Sequence, residues 1–345
     1  MSNGAAPGDD GRTHVGIIGA GSIALEHLDG YQQVADQTRV TAVADVDADG
    51  ARRYAERAGG AAVFTDHRKL VESPLVDAVD ICLPHHLHAP AIIAAATAGK
   101  HILCEKPLCV SLAEADAIAA AVASSGITLM CAHNLLFLPP VAPARELIRE
   151  GRLGQVYAAR ATDSFFSLMD ASTAGWRAER ATSGGGELLD TGYHPTYLLL
   201  HLLDSEPVEV AAMLSRHRLD FLDGEDSAQV MVRFANGSVG SIATSWAYEP
   251  DGSTERFSVV GENGSLWSDG RSLMFKERGG EPVVIVEPGD DDSATYALEV
   301  IDFVSCLRTG RRPLNTEVEG IEVLKVILAA YASAEQGRIV AIAEL

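Results

Sequence analysis

Apolar positions along the chain fall into two textures. From residue 14, short β-rich runs alternate with helical patterns. "HVGIIGAG" is followed by a stretch in which Ile23, Leu25, Leu28 and Tyr31 are apolar at helical spacing, and "RVTAVADV" by the Ala/Arg-rich "ADGARRYAERAGG", whose two closing glycines suit a helix C-cap. "AAVF", "DAVDICLP", "HILCEKP" and "ITLMCAHN" are further strand candidates, with alanine-rich helical stretches between them. Strands that read as continuous apolar runs separated by helices predict a parallel sheet covered on both faces.

After "PPVAPARELIREGRLG" the pattern alternates more. "QVYAARATDSFF", "VEVAAMLSRHRL", "SAQVMVRF", "SVGSIATSWAY" and "ERFSVVG" read as strands of a mostly antiparallel sheet with one covered face, joined by turn pairs such as Asn236-Gly237. Two late helices are expected near 294–308 and 316–336, before a last apolar run, "GRIVAIAEL". The fold class is therefore α/β. A disordered tail is expected over 1–12, a doubly wound Rossmann domain over 13–133 and an α/β domain over 134–345. The acidic run Asp290 to Asp292 reads as a solvated loop.

The 345 residues exceed the usual size of a single core, which agrees with two domains. A formal charge of −21 argues against nucleic acid or an anionic membrane as partner, since both need a basic face. Cys82, Cys104, Cys109, Cys131 and Cys306 form no CxxC pair and sit mostly in strand-like runs, so reduced core thiols are expected. The N-terminus lacks the apolar core of a signal peptide, no apolar stretch is long enough to span a bilayer, and the cytoplasm is the expected compartment.

Chemistry enters with "GIIGAGSIALEHL", a G-x-G-x-x-A pattern of Gly19, Gly21 and Ala24 between the first strand and first helix. Such a turn lets backbone approach a pyrophosphate, and the helix start, with Ser22 and Ile23, supplies N–H donors. Asp45, at the end of the second strand, is placed to accept hydrogen bonds from a ribose 2′-hydroxyl. A carboxylate there repels a 2′-phosphate, so NAD is expected, while nearby Arg52 and Arg53 leave NADP open.

"DICLPHHLHAP" and "LCEKPL" lie at strand C-termini, which border the ligand crevice of an open parallel sheet. Lys106 is thereby expected to face that crevice, with Pro107 fixing the turn and a cis peptide open to it. In "SGGGELLDTGYHPTYLLLHLL" Asp190 and His194 are four apart, three glycines allow a ligand or another backbone to come close, and Pro195 predicts a helix break or start near 194. His85, His86 and His88 lack a carboxylate or thiolate partner in the sequence pattern, so no metal site is expected.

The glycine fingerprint, Glu-Lys-Pro, "WRAERATSGGGELLDTGYH" and the closing "FVSCLRTGRRPLNTEVEGIEVLKVILAAYASAEQGR" resemble the Gfo/Idh/MocA family of nicotinamide-dependent oxidoreductases of sugars and cyclitols. The resemblance implies a Rossmann domain followed by an α/β domain whose large open sheet makes a homodimer or homotetramer. It places Lys106, Asp190 and His194 at the catalytic positions. A neutral histidine suits the general base for a secondary hydroxyl, the lysine would stabilise the developing alkoxide, and Asp190 would orient the imidazole or bind a substrate hydroxyl. It also implies cofactor contacts from Pro84, His85, His88, Asn134, Trp176 and Arg177, with Tyr296 a looser match. Glu105 is expected to pair with Lys106 or the nicotinamide riboside. Leu135 and Leu136 stand where many members carry an arginine pair, which argues against phosphorylated substrates or sugar acids.

The expectation is an oxidoreductase moving a hydride between NAD and a secondary alcohol or ketone of a neutral sugar, cyclitol or sugar derivative. Three alternatives stay open: an NADPH-dependent keto-sugar reductase on a nucleotide-linked sugar, a glycosidase working through transient oxidation, and a non-catalytic nucleotide-sensing regulator.

Overall fold

The computed structural model describes residues 10–249, 255–289 and 294–345, so tail residues 1–9 and the acidic run 290–292 lie outside the described residues. The chain divides into two units, residues 1–134 with 293–320 and residues 135–292 with 321–345.

In the first unit, β1 (Thr13–Ile18), β2 (Thr38–Ala44), β3 (Ala62–Phe64), β4 (Ala78–Ile81), β5 (His101–Glu105) and β6 (Leu129–Ala132) form a six-stranded sheet in the order β3-β2-β1-β4-β5-β6. Every pairing is parallel. Between the strands run α1 (Ser22–Gln33), α2 (Ala48–Arg57), α3 (His67–Val71), α4 (His88–Thr97) and α5 (Leu112–Ser125). The strands are buried on both faces, as with Ala78–Ile81 of β4, because helices cover each side. The strand order reverses between β1 and β4, which makes the loops after these two strands the crevice of the sheet.

The second unit opens with α6 (Val141–Arg149) and β7 (Val156–Ser164), then the short helices α7 (Arg180–Ser183) and α8 (Glu187–Asp190), then α9 (Tyr193–Leu203). Its strands continue with β8 (Pro207–Ser215), β9 (Ser227–Phe234), β10 (Val239–Ser245), β11 (Phe257–Gly261), β12 (Gly264–Ser268), β13 (Leu273–Glu277) and β14 (Val283–Val286). α10 (Ala294–Thr309) and α11 (Glu317–Gln336) follow, and β15 (Val340–Ala341) closes the chain. The nine-stranded sheet runs β14-β13-β12-β11-β7-β10-β9-β8-β15, antiparallel except for the β7–β10 pair. Strand β9 alternates buried Val230, Val232 and Phe234 with exposed Gln229, Met231 and Arg233, the pattern of a sheet covered on one face.

Two boundary expectations need correction. Residues 293–320 belong with the Rossmann unit, not with the second domain. The cause is close packing: a Cβ on Gly30 of α1 would stand 2.8 Å from Val300 Cβ and 2.9 Å from Ala297 Cα, so the two helices meet where α1 has no side chain. The expected tail is also too long. Arg12 donates to Asp10 at 2.9 Å, and the Gly11 carbonyl accepts from Arg308 at 3.0 Å, which anchors residues 10–12 before β1 begins. Strands β12 to β15 were not among the expected strands.

Candidate active site

The glycine loop has the geometry its sequence requires. Gly19 has φ +95°, and a Cβ on it would lie 2.3 Å from the Cys82 carbonyl oxygen, so the turn passes under the end of β4 only as glycine. Gly21 is the N-cap of α1 and a Cβ there meets nothing within 4 Å. Its missing side chain therefore keeps open space before a helix end whose first N–H groups no side chain caps, which is the cradle a pyrophosphate needs. Exposed Ser22 and half-buried Ile23 begin that helix, and Ala24 is fully buried beneath them.

Asp45 closes the loop from the side. One carboxylate oxygen accepts the Ala20 N–H at 2.7 Å and the other the Asp47 N–H at 2.8 Å. A carboxylate keeps further acceptor capacity beyond these two bonds, enough for ribose hydroxyls. Arg52 pairs with Asp49, and Arg53 lies 3.6 Å from Asp47, so both arginines face acidic partners of their own helix.

Beyond β4, Pro84 leads a short 3-10 turn containing His85, which is buried. His88 is fully buried, with Nδ1 2.7 Å from the Pro107 carbonyl oxygen and Nε2 2.7 Å from that of Leu83. The expected cofactor contact through its ring is not met, since both nitrogens are occupied by backbone. His88 instead clasps the loop after β4 to the turn after β5. Burial lowers its pKa, outweighing the upward pull of the two carbonyls.

The Glu105-Lys106-Pro107 turn carries a cis Lys106–Pro107 peptide. Glu105 is buried, and its Oε2 accepts the backbone N–H of Lys106 at 3.0 Å. Half-buried Lys106 leaves the sheet at this point. Asn134 is buried and donates from Nδ2 to the Thr295 hydroxyl at 3.2 Å, at the start of α10 beside half-buried Tyr296.

In the second unit the D-x-G-x-H segment is two helices with a break between them. Asp190 ends α8, and α9 starts at Tyr193, so Pro195 falls in the first helical turn, where a missing N–H is tolerated. Nδ1 of His194 lies 2.8 Å from the Tyr197 hydroxyl one turn along, and that hydroxyl accepts the Leu135 N–H at 3.0 Å. Asp190 accepts from Arg177 Nε at 2.6 Å, and the Arg177 guanidinium lies 4.3 Å from the centre of the Trp176 ring. This stacking orders Trp176, Arg177 and Asp190 as one group.

Gly185 and Gly186, two of the three glycines before α8, are packed against other parts of the chain. A Cβ on Gly186 would stand 2.2 Å from the Glu225 carbonyl oxygen, and one on Gly185 2.2 Å from the Tyr331 hydroxyl. They admit another backbone and a tyrosine. Glu225 accepts the Leu188 N–H at 2.9 Å and the Tyr331 hydroxyl at 3.0 Å, which anchors α8. Beside it, fully buried Glu187 meets the Thr244 hydroxyl, and burial pushes its carboxyl well above the usual range.

Comparison with known proteins agrees with both units. Residues 13–133 match the profile of an oxidoreductase family with an NAD-binding Rossmann fold, and residues 141–267 match the GFO/IDH/MocA C-terminal domain. The chain is 30% identical to 1,5-anhydro-D-fructose reductase of Ensifer adhaerens, over 94% of this chain and 96% of that one. It is 27% identical to myo-inositol 2-dehydrogenase of Thermotoga maritima, over 96% and 99%. The solved structure of levoglucosan dehydrogenase with NADH is similar at a TM-score of 0.89 and 27% identity, covering 96% of this chain and 99% of that one.

The chain belongs to the GFO/IDH/MocA family. It is an oxidoreductase with an NAD-binding Rossmann domain. The open cradle at Gly21 and the doubly held Asp45 are the residues of this GFO/IDH/MocA chain that fit a dinucleotide. Among the described residues no helix is long and apolar enough to cross a membrane, and all five cysteines are buried and outside any disulfide.

The sequence reading missed a buried polar knot beneath the glycine loop. Ligand-capable atoms of His27, Glu105 and Glu299 lie within 4.8 Å of one another, as do those of His27, Asp80 and Cys82. His27 carried a signal, being a polar residue on the buried face of α1 with Leu28 and Tyr31. Glu299 carried none, because it reaches the knot from a helix nearly two hundred residues beyond β5. Tyr197 was also missed, although it stands three residues past His194 on one helix.

Proposed function

We propose that this oxidoreductase transfers a hydride between NAD and a secondary alcohol or ketone of a neutral sugar, cyclitol or sugar derivative. The observation that carries the cofactor half is Asp45, whose carboxylate is fixed by two backbone N–H groups at the glycine loop. A fixed negative charge there favours ribose hydroxyls and disfavours the 2′-phosphate of NADP. The substrate half rests on the relatives, named for an anhydro-sugar, a cyclitol and levoglucosan, and on Leu135 and Leu136 in place of cationic side chains.

Bound NAD supplies the hydride acceptor at its nicotinamide ring. The chain's own residues handle the proton and the oxygen. In this reading His194 takes the hydroxyl proton at Nε2, with Nδ1 held by Tyr197. The ammonium of Lys106 stabilises the developing alkoxide, from a turn that Glu105 fixes. Asp190, oriented by Arg177, binds a substrate hydroxyl, and Trp176 stacks on that guanidinium. Gly19, Gly21, Ser22, Ile23, Pro84, His85 and Asn134 line the cofactor.

The same reading covers assembly and compartment. One face of the nine-stranded sheet exposes Met213, Met231 and Val260, which supports a homodimer or homotetramer through that face. Five buried cysteines, none of them in a disulfide, support a reducing cytoplasm.

The test is a screen of cyclitols, pyranoses and anhydro-sugars for NAD reduction at mildly alkaline pH, with the corresponding ketones assayed against NADH. At least one neutral ring polyol is expected to turn over, with kcat/KM for NAD at least about tenfold above that for NADP, equal to about 1.4 kcal/mol of discrimination. Turnover confined to phosphorylated or anionic sugars would contradict it.

A further inference from the structure

We propose that His27 is a positioning residue for Lys106, its imidazole pinning Glu105 so that the other oxygen of that carboxylate holds the Lys106 backbone N–H. The inference rests on the reading of Lys106 as a catalytic group.

The geometry forms one chain of contacts. His27 is fully buried on α1, two turns past the glycine loop. Its Nδ1 lies 2.9 Å from Asp80 Oδ2 and its Nε2 3.2 Å from Glu105 Oε1. Glu105 Oε2 in turn accepts the Lys106 N–H. With a carboxylate on each side, both ring nitrogens must donate, so the ring is an imidazolium and acts as a fixed buried cation. Every element packed around it contributes a polar group. Tyr31 of α1 donates to Asp80 at 3.0 Å, Cys82 beyond β4 lies 3.4 Å from Asp80, and Tyr296 of α10 stands 6.2 Å from the imidazole, ring centre to ring centre.

Glu299 of α10 completes the knot. It is fully buried, its Oε1 is 3.5 Å from His27 Nε2, and neither of its oxygens receives a hydrogen bond. Two ionised carboxylates already face the ring, so a third ionised group would leave the knot strongly negative in a dry interior. Glu299 therefore retains its proton. Burial drives this, with Glu105 and Asp80 adding to it against the pull of His27, and lifts the group to about 8. Asp80 and Glu105 remain the charged partners, and α1 is tied through one imidazolium to the turn that presents Lys106.

Removing the imidazole should release Glu105 Oε1 and loosen the carboxylate that holds the Lys106 N–H. The experiment compares His27→Gln, Glu105→Gln, Glu299→Gln and Lys106→Gln in the full chain, with folded sites counted by NADH titration. His27→Gln is expected to lower kcat about tenfold to a hundredfold while leaving the KM for NAD within about twofold. Glu299→Gln, which replaces a neutral acid by a neutral amide, is expected to keep kcat within about twofold. If His27→Gln does not fold, Glu105→Gln reads the same link and should lose kcat to a similar degree.

A His27→Gln enzyme with the wild-type kcat, beside an inactive Lys106→Gln, would overturn this inference and leave the Lys106 reading intact. Full activity in Lys106→Gln would overturn both. A stoichiometric metal ion in the purified protein, lost in His27→Gln, would also overturn it, because Nε2 would then carry a lone pair in place of a proton.

Discussion

His194 and Tyr197 are locked together across one turn of α9, Nδ1 to hydroxyl at 2.8 Å, and the tyrosine oxygen also receives the Leu135 N–H at 3.0 Å. A neutral imidazole has one N–H. For Nε2 to accept a substrate proton, Nδ1 must carry that hydrogen and donate it to Tyr197, whose oxygen then accepts twice. Tyr197→Phe is expected to lower kcat about tenfold to a hundredfold with the KM for NAD within about twofold. It also strips the Leu135 N–H of its acceptor, costing about 1–3 kcal/mol of stability by urea denaturation. Wild-type kcat in this variant would show that the tyrosine does not set the tautomer.

Asp45 is the second point of test. Asp45→Ala removes the acceptor for the ribose hydroxyls together with the negative charge. The kcat/KM for NAD is expected to fall about tenfold or more while that for NADP changes less or rises, measured side by side.

The glycines before α8 predict a stability effect and not a ligand effect. In Gly186→Ala the new Cβ would meet backbone on two sides, with Glu225 O at 2.2 Å and Glu225 N at 2.5 Å. Backbone yields less than a side chain, so a loss of about 3 kcal/mol is expected, read by chemical denaturation and by a lowered Tm. Gly21→Ala, where the Cβ meets nothing, should leave Tm within about 2 °C and weaken NADH binding instead.

Buried acids set the pH dependence of stability. Glu299 rises from 4.5 to about 8 on folding, and Glu187 and Glu225 move in the same direction through burial. Across pH 4.5 to 8 the folded state thus holds more protons than the unfolded state, so stability falls as pH rises through that window. The raised pKa of His27 has the same sign, its contribution being lost as pH climbs toward the folded value. Exposed Asp10 and Glu344, each lowered to about 2 by an arginine side chain, act only at lower pH and with opposite sign. Tm is expected to drop by about 3 °C or more between pH 5 and 8, and Glu299→Gln should flatten that slope. An unchanged slope would mean that Glu299 ionises freely.

The Rossmann sheet was legible because each strand is an apolar run ended by a turn signal, and local pattern decides such elements. The glycine loop was legible for the same reason, since G-x-G-x-x-A and Asp45 are short-range features. What escaped was long-range. Nothing in the helical pattern of residues 294–309 says that they pack on α1, a contact made possible by the absent side chain of Gly30. The partners of His27 come from β4, β5 and α10, and only folding brings them to one ring. His88 shows the opposite failure, a motif histidine whose ring nitrogens are spent on backbone carbonyls.

The most direct measurement is transfer of an isotopic label. With a neutral polyol from the screen deuterated at the reacting carbinol carbon, deuterium is expected at C4 of the reduced nicotinamide, none released to solvent, with transfer lost in Lys106→Gln and His194→Gln. Label found in water, or NAD left unreduced while the polyol is consumed, would contradict hydride transfer by this protein.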